Sequence, residues 1–133
     1  MINPKILVAY TGSSVSDNAL KLAGSLSRQL DGHVIIILSM SGGKKETIHD
    51  IQQTQALLNE AHKRMSDKGI SCEIQETARG LTPGEDVVLF ARDNKVDLIV
   101  VGVEKKSRAQ KLIMGSTAQY IILKAHCPVL TVK

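Results

Sequence analysis

Apolar residues fall along this chain in short runs, separated by longer stretches in which they recur every three or four positions. The runs at 6–10, 34–38, 96–101 and 129–132 are nearly continuous, as expected of strands covered on both faces. Between 71 and 77 the pattern alternates instead. Cys72 and Ile74 share one side and Glu73 and Gln75 the other, which reads as a third strand nearer a sheet edge. Of the stretches between, the first carries Ala19, Leu22, Ala23 and Leu26 at helical spacing, begins with Ser14 or Ser16 as cap and ends near Gly32. A second helix spans 47–68, with Ile51, Leu58, Ala61 and Met65 inward and Gly69 beyond its end as a left-handed cap. Thr82-Pro83-Gly84-Glu85 opens a third: Thr82 caps, Pro83 takes the first helical position and Glu85 completes a capping box. The fourth begins at Gly115-Ser116 and runs to about Ala125, before Pro128 stops it. The order βαβαβαβαβ with right-handed crossovers predicts a three-layer α/β/α sandwich around a five-stranded, mostly parallel, doubly wound sheet.

Composition narrows the function. At 133 residues the chain is expected to form one domain over its whole length. Its apolar content comes from Ile, Val, Leu and Ala; Phe90, Tyr10 and Tyr120 are the only aromatic residues, which argues against a reader of single-stranded nucleic acid. The net charge of +4 is spread from Lys5 to Lys133 and reads as a solvated surface, so no nucleic-acid partner is expected. Cys72 and Cys127 lack metal or redox spacing, which fits a reducing compartment. Neither a signal-peptide pattern nor an apolar run near the ~18–20 residues of a membrane span occurs, so a cytoplasmic location without membrane contact is expected. His33, His49, His62 and His126 have no partners at ligand spacing, and no metal site is assigned. His126 and Cys127 adjoin, but neighbours in a strand face opposite ways, and Cys127 reads as a buried inert thiol. There is no P-loop, no G-x-G-x-x-G turn and no G-x-S-x-G elbow, and no catalytic residue is assigned.

Open parallel sheets bind ligands beyond the carboxyl ends of their strands, where the strand order reverses. This directs attention to the loops at 11–14, 39–42 and 102–115. The last is the most informative: it carries Lys105, Lys106, Arg108 and Lys111 and leads into a helix N-terminus at Gly115-Ser116-Thr117. A phosphate could sit between those cations and the open amides, with the two hydroxyls as further donors. The same residues equally fit a tight turn at Gly115, a cap at Ser116 and a solvated cationic loop.

The Ile-Leu-Val-Ala strand followed by Gly-Ser, then Asp97-Leu-Ile-Val-Val-Gly102, Met114-Gly115-Ser116-Thr117 and Cys127-Pro-Val-Leu-Thr-Val132 resemble the universal stress protein family from end to end. The resemblance implies an adenine nucleotide alpha hydrolase-like fold and a stress-responsive regulatory binding module. It also implies a site for ATP or a related adenine nucleotide, with Mg2+ accompanying the nucleotide only. Carried over position by position, the nucleotide-binding residues are Tyr10, Thr11, Ser39, Gly102, Lys105, Gly115, Ser116 and Thr117. In the nucleotide-binding branch the loop after the fourth strand reads Gly, two residues, Gly, nine residues, Gly, then Ser or Thr; Gly102, Gly115 and Ser116 keep that spacing. Two positions depart from the family pattern. Lys105 replaces the second glycine, and Thr11 stands where an aspartate usually holds the adenosine part, which removes the bidentate acceptor suited to a ribose diol. The resemblance further implies a homodimer through the last strand. Alternative readings are a dimeric adaptor that binds no nucleotide and a very slow ATPase, for which Glu104 and Asp97 are the only nearby acids. A phosphoacceptor domain of similar topology is disfavoured, because Thr11 and Thr77 stand where it needs acids.

Overall fold

The computed structural model of the chain describes residues 1–38, 48–76, 81–104 and 114–133. The elements run β1 (Lys5–Tyr10), α1 (Ser14–Leu30), β2 (His33–Leu38), α2 (Ile48–Asp67), β3 (Cys72–Gln75), α3 (Pro83–Asp93), β4 (Leu98–Gly102), α4 (Ser116–Lys124) and β5 (Val129–Val132). The strands form one sheet in the order β3-β2-β1-β4-β5, and each of its pairings is parallel. The chain thus builds outward from β1 to β3 and then returns to lay β4 on the other side of β1. The order reverses between β1 and β4, and the ligand crevice of such a sheet opens there.

Why the central strands read as unbroken apolar runs is visible in β1. Ile6, Val8 and Tyr10 point to one face, against Ala19, Leu20 and Ala23 of α1 and Leu58, Ala61 and Met65 of α2. Leu7 and Ala9 point to the other, against Val87, Phe90 and Ala91 of α3 and Ala118 and Ile121 of α4. With helices on both faces no position of the strand is spare, and each fully buried Leu, Ile or Val contributes about 1.5–3 kcal/mol.

Several expected details shift. The cap of α1 is Ser13, not Ser14 or Ser16: Ser13 is extended and its side chain accepts from the Ser16 amide. The buried stripe of α1 is Ser16, Ala19, Leu20, Ala23, Gly24 and Ser27, so Leu22 and Leu26 sit on its half-buried flanks. The helix ends in a left-handed Asp31, one residue before the expected Gly32. In α2, Leu58, Ala61 and Met65 are buried as expected, but Ile51 is 45% exposed. A 20-residue helix is about 30 Å long, whereas the 4 residues of β3 span about 13 Å, so the first turns of α2 run past the sheet that would have covered Ile51. Gly69 does take the left-handed conformation, at φ 71°. β3 lies at a sheet edge as the alternation predicted, and Thr77 lies outside the described residues. β4 starts at Leu98 and not at 96: the Val96 amide donates back to the Ala91 carbonyl of α3 at 2.9 Å, and the Lys5 amide donates to the Asp97 carboxylate at 2.9 Å. Among the described residues no helix is long and apolar enough to cross a membrane.

Candidate functional site

A cleft of about 160 Å³ opens at the carboxyl edge of the sheet where the order reverses. Its floor is Ala9 and Thr11 at the end of β1 and Val101 to Glu104 at the end of β4. One wall is the start of α1, through Ser13, Val15 and Ser16; the other is the start of α4, through Gly115, Thr117 and Ala118. The two helices cover opposite faces of the sheet, so their N-termini converge on the cleft from both sides.

The α1 wall is internally bonded. Gly12, at φ 82°, turns the chain from β1 into the helix. Thr11 Oγ1 and Ser13 Oγ lie 2.8 Å apart, the Ser13 amide donates to Thr11 Oγ1, and the Ser16 amide donates to Ser13 Oγ. This wall can approach β4 only because Gly102 has no side chain. A Cβ there would lie 2.6 Å from the carbonyl carbon and oxygen of Val15 and 2.8 Å from the Ser16 nitrogen. The expected ligand role of Gly102 therefore shares its position with a packing requirement.

The α4 wall is bare. Gly115 is the N-cap, extended at φ −60° and ψ 151°, and makes no side-chain cap bond. Ser116 is accordingly the first helical residue, not the cap. The first helical bond runs from the Gln119 amide to the Gly115 carbonyl at 3.1 Å, and a helix leaves the amides before that one without an intrahelical partner. Among the described residues, a Cβ on Gly115 would meet nothing within 4 Å. Neither its backbone conformation nor packing against the described residues demands glycine there. Helix-dipole attraction for an anion is greatest at such a terminus.

Of the expected binding residues, Thr11, Gly102, Gly115 and Thr117 line this cleft together, and Ser116 is not among its lining residues. Ser39 and Lys105 lie outside the described residues, as do Lys106, Arg108 and Lys111. Tyr10 has its side chain in the core, away from the cleft. Its hydroxyl donates to Asp17 Oδ1 at 2.8 Å and accepts from Arg64 Nη2 at 2.8 Å, and Arg64 also pairs with Asp17 at 3.1 Å. Burial, helped by the bond to Asp17, pushes the Tyr10 hydroxyl up. Ser13, Val15, Ser16 and Glu104 join the cleft without having been singled out as binding residues. The loop at 11–14 pointed at Ser13, whereas nothing in the sequence marks Val15 as a backbone contact of Gly102. Glu104, at the exposed rim, is the one ionisable side chain among the described lining residues.

Away from the cleft, burial and then the Glu73 charge push the Cys72 thiol up to about 11, and burial with the Asp97 charge raises Cys127. Cys127 is half-buried and not fully buried as expected, although the raised thiol keeps it from being a ready nucleophile. Asp97 sits at the amino edge of the sheet, at the far end from the cleft. Among the described residues no group of His, Cys, Asp and Glu could hold a metal ion.

With this geometry in place, comparison with known proteins is direct. The model of the universal stress protein family matches residues 3–133. The chain is 32% identical over 140 residues to universal stress protein MJ0531 of Methanocaldococcus jannaschii, covering 97% of this chain and 81% of that one. A universal stress protein structure from Archaeoglobus fulgidus superposes with a TM-score of 0.85 at 32% identity, covering 100% and 96% of the two chains. Another from the same organism, in complex with dAMP, gives 0.81 at 28% identity over 100% of both. The chain belongs to the universal stress protein family and has its adenine nucleotide alpha hydrolase-like fold.

Proposed function

We propose that the chain is a stress-response binding module whose cleft takes an adenine nucleotide, with a phosphate on the open amides of Ser116 and Thr117. The observation that carries this reading is Gly115: a helix cap without a capping side chain, lining a switch-point cleft and with no described residue within 4 Å of where a Cβ would sit. The dAMP complex of the related archaeal protein supports it. Lys105 and its basic neighbours would add charge at the phosphate, and Mg2+ would enter only as the nucleotide's counterion. On this reading the chain acts as a binding module and not as a dedicated enzyme, and among the described lining residues Glu104 is the one candidate base. We further propose a single cytoplasmic domain that pairs through β5 as a homodimer and binds neither nucleic acid nor membrane. The two sheet edges support that pairing. The β3 edge carries Glu73 and Gln75, and its Cys72 carbonyl is occupied by His62 Nε2 at 3.1 Å. The β5 edge is Val-Leu-Thr-Val, with no charge to discourage a partner strand.

A specific observation favours a second reading, an adaptor without nucleotide: the described cleft wall holds no cation and one carboxylate, Glu104. Calorimetric titration with ATP, ADP and AMP in magnesium separates the two. Nucleotide binding predicts saturable heat and at least a tenfold loss in Gly115→Val, whose backbone at φ −60° and described surroundings accept a branched side chain without refolding. No heat with any of the three leaves the adaptor, and unchanged affinity in the variant removes the phosphate from α4. Sedimentation of Thr131→Pro tests the dimer. Thr131 lies between Leu130 and Val132, whose carbonyl bonds inward to the Val103 amide, so its own amide faces outward. A dimeric parent and a monomeric variant are expected; a monomeric parent would end the β5 proposal.

A further inference from the structure

The hydrogen bonds of the α1 wall set which sugar the cleft can select. Thr11 Oγ1 accepts from the Ser13 amide at 3.3 Å, Ser13 Oγ accepts from the Ser16 amide at 3.3 Å, and the two hydroxyls are bonded to each other at 2.8 Å. A hydroxyl has one proton and two lone pairs. If Thr11 donates to Ser13, both lone pairs of Ser13 are filled and one remains on Thr11. If Ser13 donates, the positions reverse. Either way the pair turns outward one O–H and a single lone pair. It cannot accept from two adjacent hydroxyls, and it bears no charge.

A phosphate on α4 leaves the sugar as the next group along the ligand, against the facing wall of a cleft only about 160 Å³ in size. Apart from Thr11, the described floor is Ala9, Val101, Gly102 and Val103, none with a polar side chain, and Glu104, whose carboxylate lies at the exposed rim. Among the described side chains, the group facing the sugar is therefore Thr11–Ser13. We infer that this cleft does not distinguish ribose from 2′-deoxyribose, and that Thr11 is the residue responsible for the indifference. The inference rests on the nucleotide reading above. A 2′-hydroxyl that finds at best a half-occupied neutral pair gains about as much from water as from this wall, so ribo- and deoxyribonucleotides bind alike.

The test is calorimetric titration of the full chain with AMP and with dAMP, in the parent, in Thr11→Asp and in Thr11→Asn. Thr11 is exposed and precedes a helix start, where an acid is tolerated. An Asp or Asn side chain can also accept the Ser13 amide as Thr11 Oγ1 does. For the parent the two dissociation constants should agree within about threefold. In Thr11→Asp one carboxylate oxygen is free to accept from the sugar, and AMP should gain on dAMP by about tenfold, the scale of one hydrogen bond to a charged group. Thr11→Asn should show the same direction with a smaller ratio. A parent that prefers AMP by tenfold or more overturns the inference while leaving the nucleotide reading intact. Equal binding in the parent with no change of ratio in either variant removes Thr11 from the sugar. Failure of both ligands to bind the parent overturns the nucleotide reading, and this inference with it.

Discussion

α1 and α4 bring their N-termini to one cleft in opposite chemical states. At α1, Gly12 turns the chain, Ser13 caps through its side chain, and Asp17 adds a negative charge to the first turn. At α4 the cap is a glycine with no side chain to offer, and no acid lies in the first turn. α3, away from the cleft, resembles α1: Thr82 caps, and Glu85 and Asp86 supply charge. A helix that ends in structure satisfies its own amides, and a helix that ends in a binding site leaves them to the ligand. Because α3 and α1 are both capped, the bareness of α4 is a local property and not a habit of this chain.

The largest expected effect breaks the α1 side. Gly102→Ala places a Cβ 2.6 Å from the Val15 backbone, which has no side-chain freedom with which to yield. We expect a loss of about 3 kcal/mol in urea unfolding, at the upper end of overpacking costs, because the whole helix must lift off β4. A loss below about 1 kcal/mol would mean that the two walls are not rigidly joined through this glycine.

Ser13→Ala comes next. Removing the cap from α1 should cost about 1 kcal/mol, and Thr82→Ala at α3 should cost about the same, since each loses one side-chain bond to a first-turn amide. Their agreement would establish that the α1 terminus is stabilised as an ordinary helix start. A Ser13→Ala loss well above that of Thr82→Ala would instead show the Thr11–Ser13 pair contributing beyond its cap.

How much of this contrast is legible in the sequence differs between the two walls. Apolar runs located four strands and the alternation at 71–77 a fifth, each to within two residues at its ends; for the central strands this is because burial on both faces leaves no polar position to blur the pattern. Gly115-Ser116-Thr117 was legible as a helix start for a similar reason, a glycine followed by hydroxyl residues after a loop. The α1 cap was not. Ser13, Ser14 and Ser16 are all good caps, and only the left-handed turn at Gly12 selects the first of them. Ile51 was misplaced because periodicity reports which side of a helix is apolar but not where the sheet beneath it ends. The second reason for Gly102, contact with the Val15 backbone, joins residues 87 positions apart and leaves no local trace.

The smallest effect on stability gives the sharpest test of the contrast. Gly115→Asp would make α4 resemble α1, because the extended backbone of Gly115 already has the conformation of a capping residue and no described residue lies within 4 Å of where a Cβ would sit. A cap gained in place of glycine is worth only a few tenths of a kcal/mol, with a further contribution from the acid at the positive end of the helix. The variant should therefore unfold at slightly higher urea than the parent. On the proposed function it should also lose nucleotide binding by at least about tenfold, since the new carboxylate both occupies and charges the proposed site of the phosphate. Stability and binding would move in opposite directions at one residue. If both rose, or if binding were unchanged while the helix gained its cap, the open amides of α4 would be an incomplete helix end and not a binding site.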